Sequence, residues 1–125
     1  MKTLRLLAAP ALAGLMLLSG SAAAWAWGAI AVSNKQASRW GYAYDSSTKQ
    51  EAIDRALRNC GRNCQVVLTF ARGCGAYAYG AYGKDTEYGT GVGSSRAAAE
   101  ELALIDCEMM LWGECRIRVW ACNSR

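Results

Sequence analysis

The chemistry open to this chain is narrowed first by what it lacks: among its 125 residues there is no histidine. Ser-His-Asp and Cys-His catalysis and histidine metal sites are thereby excluded. Six cysteines, at positions 60, 64, 74, 107, 115 and 122, are the next candidates. A thiolate attacks or ligates only while unpaired, however. In a short exported chain six cysteines read as three disulfides, and pairs at zinc-finger spacing are absent. No metal, cofactor or cysteine nucleophile is expected.

Carboxylates are what remain. Glu100 and Glu101 are helix neighbours pointing roughly 100 degrees apart, so they do not form an acid/base pair. Asp85 and Glu87, in "GKDTEYG", read as a solvated loop or hairpin tip without a desolvating neighbour to shift them. Ser46-Ser47 and Ser94-Ser95 are better helix caps than nucleophiles. "GTGVG" at 89–93 has no lysine after it and follows no clear strand, so it is a poor phosphate cradle. The expectation is a domain that is not an enzyme.

Contact surfaces are the better candidates. On the last strand Arg116, Arg118 and Trp120 should share one side, opposite Ile117, Val119 and Ala121, and form an outward patch. In "WGYAYD", Trp40, Tyr42 and Tyr44 alternate with Gly41 and Ala43, and Tyr77 and Tyr79 repeat the pattern. Facing outward, such a row would stack on sugar rings or bury a partner's side chains. Its expected place is nevertheless the inner sheet face beneath the helices, because a small domain needs its aromatics inside.

The elements that position these residues come from an internal repeat. Shifted by 47 residues, "GAIAV" at 28–32 falls on "GAYAY" at 75–79, and "SSTKQEAIDRALRNC" at 46–60 on "GSSRAAAEELALIDC" at 93–107. After four extra residues Cys64 meets Cys115. Matches of this density, cysteines included, mark a duplication. Each unit reads as strand (28–33, 75–80), strand (40–45 and, more weakly, 88–92), helix, strand (65–70, 116–121). A capping box at Ser47/Gln50 or Thr48/Glu51 opens the first helix. Two such units imply an α+β domain, most simply one shared, mainly antiparallel sheet with both helices on one face. Fifteen pairings of six cysteines are possible. If equivalent cysteines make equivalent bonds, Cys60–Cys64 and Cys107–Cys115 staple each helix to its next strand, and Cys74–Cys122 joins the two units.

Residues 1–26 read as a signal peptide: basic Lys2 and Arg5, an apolar run at 6–18, then Ala22-Ala23-Ala24 or Ala24-Trp25-Ala26 as cleavage site. The run is short for a membrane anchor and is interrupted by Pro10. Residues 27–125 then form a single domain of two repeats, 27–74 and 75–125, exported to the periplasm or beyond. The chain's charge of +4 falls to +2 without Lys2 and Arg5. The first repeat has seven basic and three acidic residues and the second five and seven. That is too mild for a nucleic-acid footprint and could equally bring the halves together.

"WGAIAVS", "GYAYDSSTKQEA", "CQVVLTF" and "CRIRVWACNS" together resemble the exported bacterial family catalogued as domain of unknown function 4189, over nearly all of residues 27–125. The resemblance implies a secreted or periplasmic domain with paired cysteines, carries over no catalytic residue, and makes an effector or antagonist role conceivable. The "MMLW" stretch at 109–112 departs from the family pattern. The function expected is a non-enzymatic interaction domain that binds a macromolecular partner, such as an envelope enzyme or toxin. The patch Arg116, Arg118 and Trp120 would carry the contact. The alternatives are an envelope glycan binder using Trp40, Tyr42 and Tyr44 and, more remotely, a carboxylate-dependent hydrolase.

Overall fold

A computed structural model describes residues 25–111 and 113–125. Most of the expected signal peptide (residues 1–24), and Trp112 of the "MMLW" stretch, lie outside the described residues. The chain runs β1 (Trp27–Val32), β2 (Trp40–Ser46), α1 (Lys49–Cys60), β3 (Gln65–Ala71), β4 (Cys74–Tyr82), β5 (Asp85–Gly93), α2 (Arg96–Met110) and β6 (Arg116–Cys122). This is an α+β fold of two strand-strand-helix-strand repeats. Each helix starts on a hydroxyl cap. Thr48 Oγ1 accepts from the Glu51 amide at 3.1 Å and Ser95 Oγ from the Ala98 amide at 3.1 Å. Such caps satisfy amides that the first turn leaves without partners. The Glu51 carboxylate reaches back to the backbone N–H and hydroxyl of Ser47, and these bonds hold its pKa below the usual value.

The sheet differs from the expectation. There are two three-stranded antiparallel sheets, in order β2-β1-β3 and β5-β4-β6, in place of one shared sheet. The helices do not share a face: α1 packs on the first sheet and α2 on the second. Strand alternation explains this. In β1, Ala29 and Ala31 turn toward Ala52 and Ala56 of α1, while Ile30 and Val32 turn the other way. In β4, Ala76 and Ala78 face Ala99, Ala103 and Cys107 of α2, while Tyr77 faces the opposite sheet. Central strands apolar on both faces need two covers, so a helix takes the small face and the other sheet takes the large one. The result is four layers, helix-sheet-sheet-helix. Between the sheets Ile30, Val32, Phe70, Tyr77, Val119 and Ala121 are buried together with Ala37 of the β1–β2 loop. A large side chain among these contributes about 1.5–3 kcal/mol.

Asp85 and Glu87 lie in β5, which begins earlier than expected. Tyr82 pairs with Asp85 around a two-residue turn, with Gly83 at a φ of 62°. The glycines of the weakly marked strand, Gly89 and Gly91, lie under α2. A Cβ on Gly89 would stand 2.2 Å from the Cys107 amide nitrogen.

The disulfides are Cys60–Cys64, Cys107–Cys115 and Cys74–Cys122. The first two staple equivalent helix ends. The third does not bridge the repeats, because Cys74 opens β4 and sits opposite Cys122 of β6 within the second sheet, with Cα atoms 4.0 Å apart. At the same register the first repeat pairs Trp27 with Ala71. The repeats are instead joined by the shared core and by polar ties. Tyr77 donates its hydroxyl to Lys35 O at 2.7 Å, Arg118 Nε donates to Ala37 O at 3.1 Å, and Asn123 Oδ1 accepts from the Asp45 amide at 2.7 Å.

Candidate functional site

The aromatic row of β2 is placed by what lies beneath it. Gly41 and Ala43 face α1, and a Cβ on Gly41 would stand 2.3 Å from both Ala56 O and the Cys60 amide nitrogen. The neighbouring side chains must therefore project from the opposite face. Trp40, Tyr42 and Tyr44 do so on an edge strand, at 38%, 37% and 46% exposure. The row is surface rather than the inner lining expected. Tyr77, fully buried, takes the core position instead, and burial pushes its hydroxyl pKa upward. The rings form a comb: Trp40 and Tyr42 have centroids 5.9 Å apart at 22°, and Tyr42 and Tyr44 lie 6.2 Å apart at 19°.

Across from the comb runs β6, the edge of the second sheet. The two edges enclose a groove of about 410 Å³, with Trp40, Tyr42 and Tyr44 on one wall and residues 118–122 on the other. The fold thus unites two sets of residues that the sequence offered as alternatives. Arg118 is anchored to the β1–β2 loop through Ala37 O. Trp120 lies under the Arg96 guanidinium, 3.9 Å from its centroid, and Arg96 is itself paired with Glu100.

Arg116 is a correction, for it does not line the groove. Between Tyr77↔Val119 and Ala78↔Ile117 the register slips by one residue, a β-bulge at Arg118. The bulge breaks the alternation, so Arg116, opposite Tyr79, and Trp120, opposite Ala76, fall on different faces. The Arg116 guanidinium sits 5.8 Å from the Tyr79 ring. Ile117 likewise packs toward α2 rather than with Val119 and Ala121.

Helix side chains that sequence patterning missed guard the strand edges. Asn59 Nδ2 donates to Tyr42 O at 2.9 Å, and an Arg55 terminal nitrogen to Tyr44 O at 3.1 Å. On the other sheet Asp106 Oδ2 accepts from the Thr90 amide at 2.9 Å. Asn59 and Asp106 are 47 residues apart, so the repeat itself was the available signal. Among the described residues no carboxylate lines the groove. Glu87 faces Lys35 at 3.6 Å and Glu100 is held by Arg96, while Asp45 binds the amide and hydroxyl of Ser124, which holds its pKa down. Among the described residues no three His, Cys, Asp or Glu side chains converge as metal ligands, and no helix is long and apolar enough to cross a membrane.

A family model described as "Domain of unknown function (DUF4189)" matches residues 27–122. The chain belongs to that family. The DUF4189 chain is also similar to Rv1813c from Mycobacterium tuberculosis, whose structure was determined by NMR. The two are 33% identical with a TM-score of 0.52, over 78% of this chain and 75% of that one. No curated protein matches the sequence.

Proposed function

We propose that this DUF4189 domain is an exported, non-enzymatic interaction module whose groove binds a macromolecular partner, such as an envelope enzyme or toxin. The observation that carries the reading is the convergence of Trp40, Tyr42 and Tyr44 with Arg118 in one groove, whose far wall is completed by residues 119–122. Tyrosine, tryptophan and arginine are the residues that most often dominate binding energy, since each offers a large rigid surface with a polar tip. Three disulfides suit an oxidising compartment. The acids in ion pairs, and the absence of histidine, speak against acid/base chemistry.

Tyr42→Ala and Arg118→Ala test it. Tyr42→Ala should keep the wild-type melting temperature within a few degrees, while Arg118→Ala, which strips Ala37 O of its donor, should stay folded but melt about 4–8 °C lower. Both should lose a partner isolated by cross-linking in the cell envelope, with at least a tenfold drop in affinity. Arg116→Ala should bind as wild type. Retention by both groove variants would remove the groove from the interaction.

The comb supports a second reading, an envelope glycan stacked on near-parallel rings. Sedimentation with purified cell wall decides it: wild type should pellet and Tyr42→Ala stay in solution, whereas no pelleting of wild type rejects the glycan.

A further inference from the structure

The outer wall of the groove is an open hydrogen-bonding edge. The Asn123 amide donates to Gly73 O, so residues 73 and 123 form a hydrogen-bonded pair. Antiparallel pairs alternate in type, which makes Cys74–Cys122 and Ala76–Trp120 non-hydrogen-bonded pairs, in keeping with the 4.0 Å Cα separation at the cystine. The N–H and C=O groups of Trp120 and Cys122 therefore point away from β4, out of the sheet. On β2 and β5 the carbonyls of Tyr42 and Tyr44 and the amide of Thr90 are taken by α1 and α2 side chains. No such guard covers Trp120 or Cys122 among the described residues. Unguarded edges are templates for pairing.

Building on the groove reading above, we infer that β6 accepts an extended peptide segment of the partner as an added strand. Its backbone pairs with Trp120 and Cys122, and its alternate side chains lie on the Trp40–Tyr42–Tyr44 comb. Ring centroids 5.9 and 6.2 Å apart nearly match the two-residue repeat of a strand, roughly 6.6 Å. Charge adds a second requirement. The ion pairs Lys35–Glu87 and Arg96–Glu100 leave Arg118 without a carboxylate, and its Nε is held by Ala37 O. Its terminal nitrogens meet an acidic side chain of the peptide, the geometry in which arginine grips a carboxylate best. The occupant is thus an extended, alternating apolar peptide with an acidic residue beside Arg118. The equivalent edge at β3 has Tyr88, Thr90 and Val92 beside it in place of the comb, and is not assigned the same role.

Panning a random nonapeptide display library against the full chain tests this. Enrichment of alternating apolar sequences with an acidic residue is expected. A synthetic copy of the winner should slow hydrogen exchange at the Trp120 and Cys122 amides at least tenfold. The Val119 and Ala121 amides, already directed at β4, should not change. N-methylation of alternate peptide amides should weaken binding roughly tenfold, by removing two or so backbone bonds. No enrichment, or full affinity of the N-methylated peptide, overturns strand addition. If that N-methylated peptide still depends on Tyr42 and Arg118, the groove stands and only the strand is lost. If exchange protection persists in Tyr42→Ala and Arg118→Ala at unchanged affinity, the groove reading fails instead.

Discussion

Replacing Gly41 with alanine tests the layering that turns the aromatic comb outward. The new Cβ would stand 2.3 Å from Ala56 O and from the Cys60 amide nitrogen, where ordinary contact begins near 3.4 Å. Both atoms are helix backbone, so no rotamer change relieves the clash and α1 must retreat by about 1 Å over that turn. A gap of that size forfeits a quarter to a half of the dispersion energy of the side chains it separates. Overpacking of this kind costs about 1–3 kcal/mol, and the rigid obstacle places Gly41→Ala near 3. For a domain of roughly 100 residues the melting temperature should fall by about 12–24 °C. Gly83→Ala is the control. Nothing lies within 4 Å of its Cβ, and only the φ of +62° resists a side chain, at about 1 kcal/mol. Thermal unfolding followed by far-ultraviolet circular dichroism compares the two. If Gly41→Ala melts no lower than Gly83→Ala, α1 does not lie on β2. Nothing would then oblige Trp40, Tyr42 and Tyr44 to face solvent.

Opening the Cys74–Cys122 bridge with a double alanine substitution should cost about 4 kcal/mol, because it closes a loop 48 residues apart, whereas Cys60–Cys64 at a separation of 4 should cost about 2. Urea midpoints give the ranking, and the reverse order would refute the chain-entropy account. Asp45 has a depressed pKa, so its stabilising effect is present above the ordinary carboxylate pKa and lost as pH falls through the lower folded value. The advantage of wild type over Asp45→Asn should therefore be constant above about pH 4 and vanish in more acidic melts; a gap independent of pH contradicts it. Tyr77→Phe strips Lys35 O of its donor in a part-buried site and should cost about 1–2 kcal/mol. Faster amide exchange in the β1–β2 loop should accompany it, and an unchanged stability would show that water replaces the hydroxyl.

Much of the fold was legible in the chain because it is written twice. Offsets of 47 and 51 residues locate both helices, both caps and equivalent cysteine staples. The layering was present too, in the alternation of Ala29 and Ala31 with Ile30 and Val32, but period two does not say whether a helix or a sheet covers each face. β5 was blurred because Gly89 and Gly91 serve helix contact rather than turns, and a strand stripped of side chains shows little pattern. Arg116 was misplaced because the bulge at Arg118 comes from register, which has no residue signature here. The comb was expected inside on the ground that small domains need their aromatics. Alanine and glycine bring the helices so close that Ile30, Phe70 and Tyr77 fill the one wide gap, and the β2 row is left over for the surface.

The repeat supplies an internal standard for judging which surface features serve the fold and which do not. Register aligns Ala43 with Gly91, because Ala29 and Ala76 are their respective partners, and so sets Tyr42 against Thr90 and Tyr44 against Val92. At these matched positions the helix guard is kept: Asn59 donates to the Tyr42 carbonyl and Asp106 accepts from the Thr90 amide. Edge protection is a requirement of the architecture and appears in both copies, with donor and acceptor exchanged. The comb is not. Thr90 and Val92 satisfy the same strand, with the same glycine or alanine neighbours under the helix, without large rings. Nothing in folding therefore demands Tyr42 and Tyr44, which keep apolar surface in water at a cost of roughly 25 cal/mol per Å². Tyr88 and Val92 keep apolar surface in water on β5 as well, but the unbroken row of three rings belongs to β2 alone and lies beside an unguarded edge, which is what a binding surface requires and a packing surface does not.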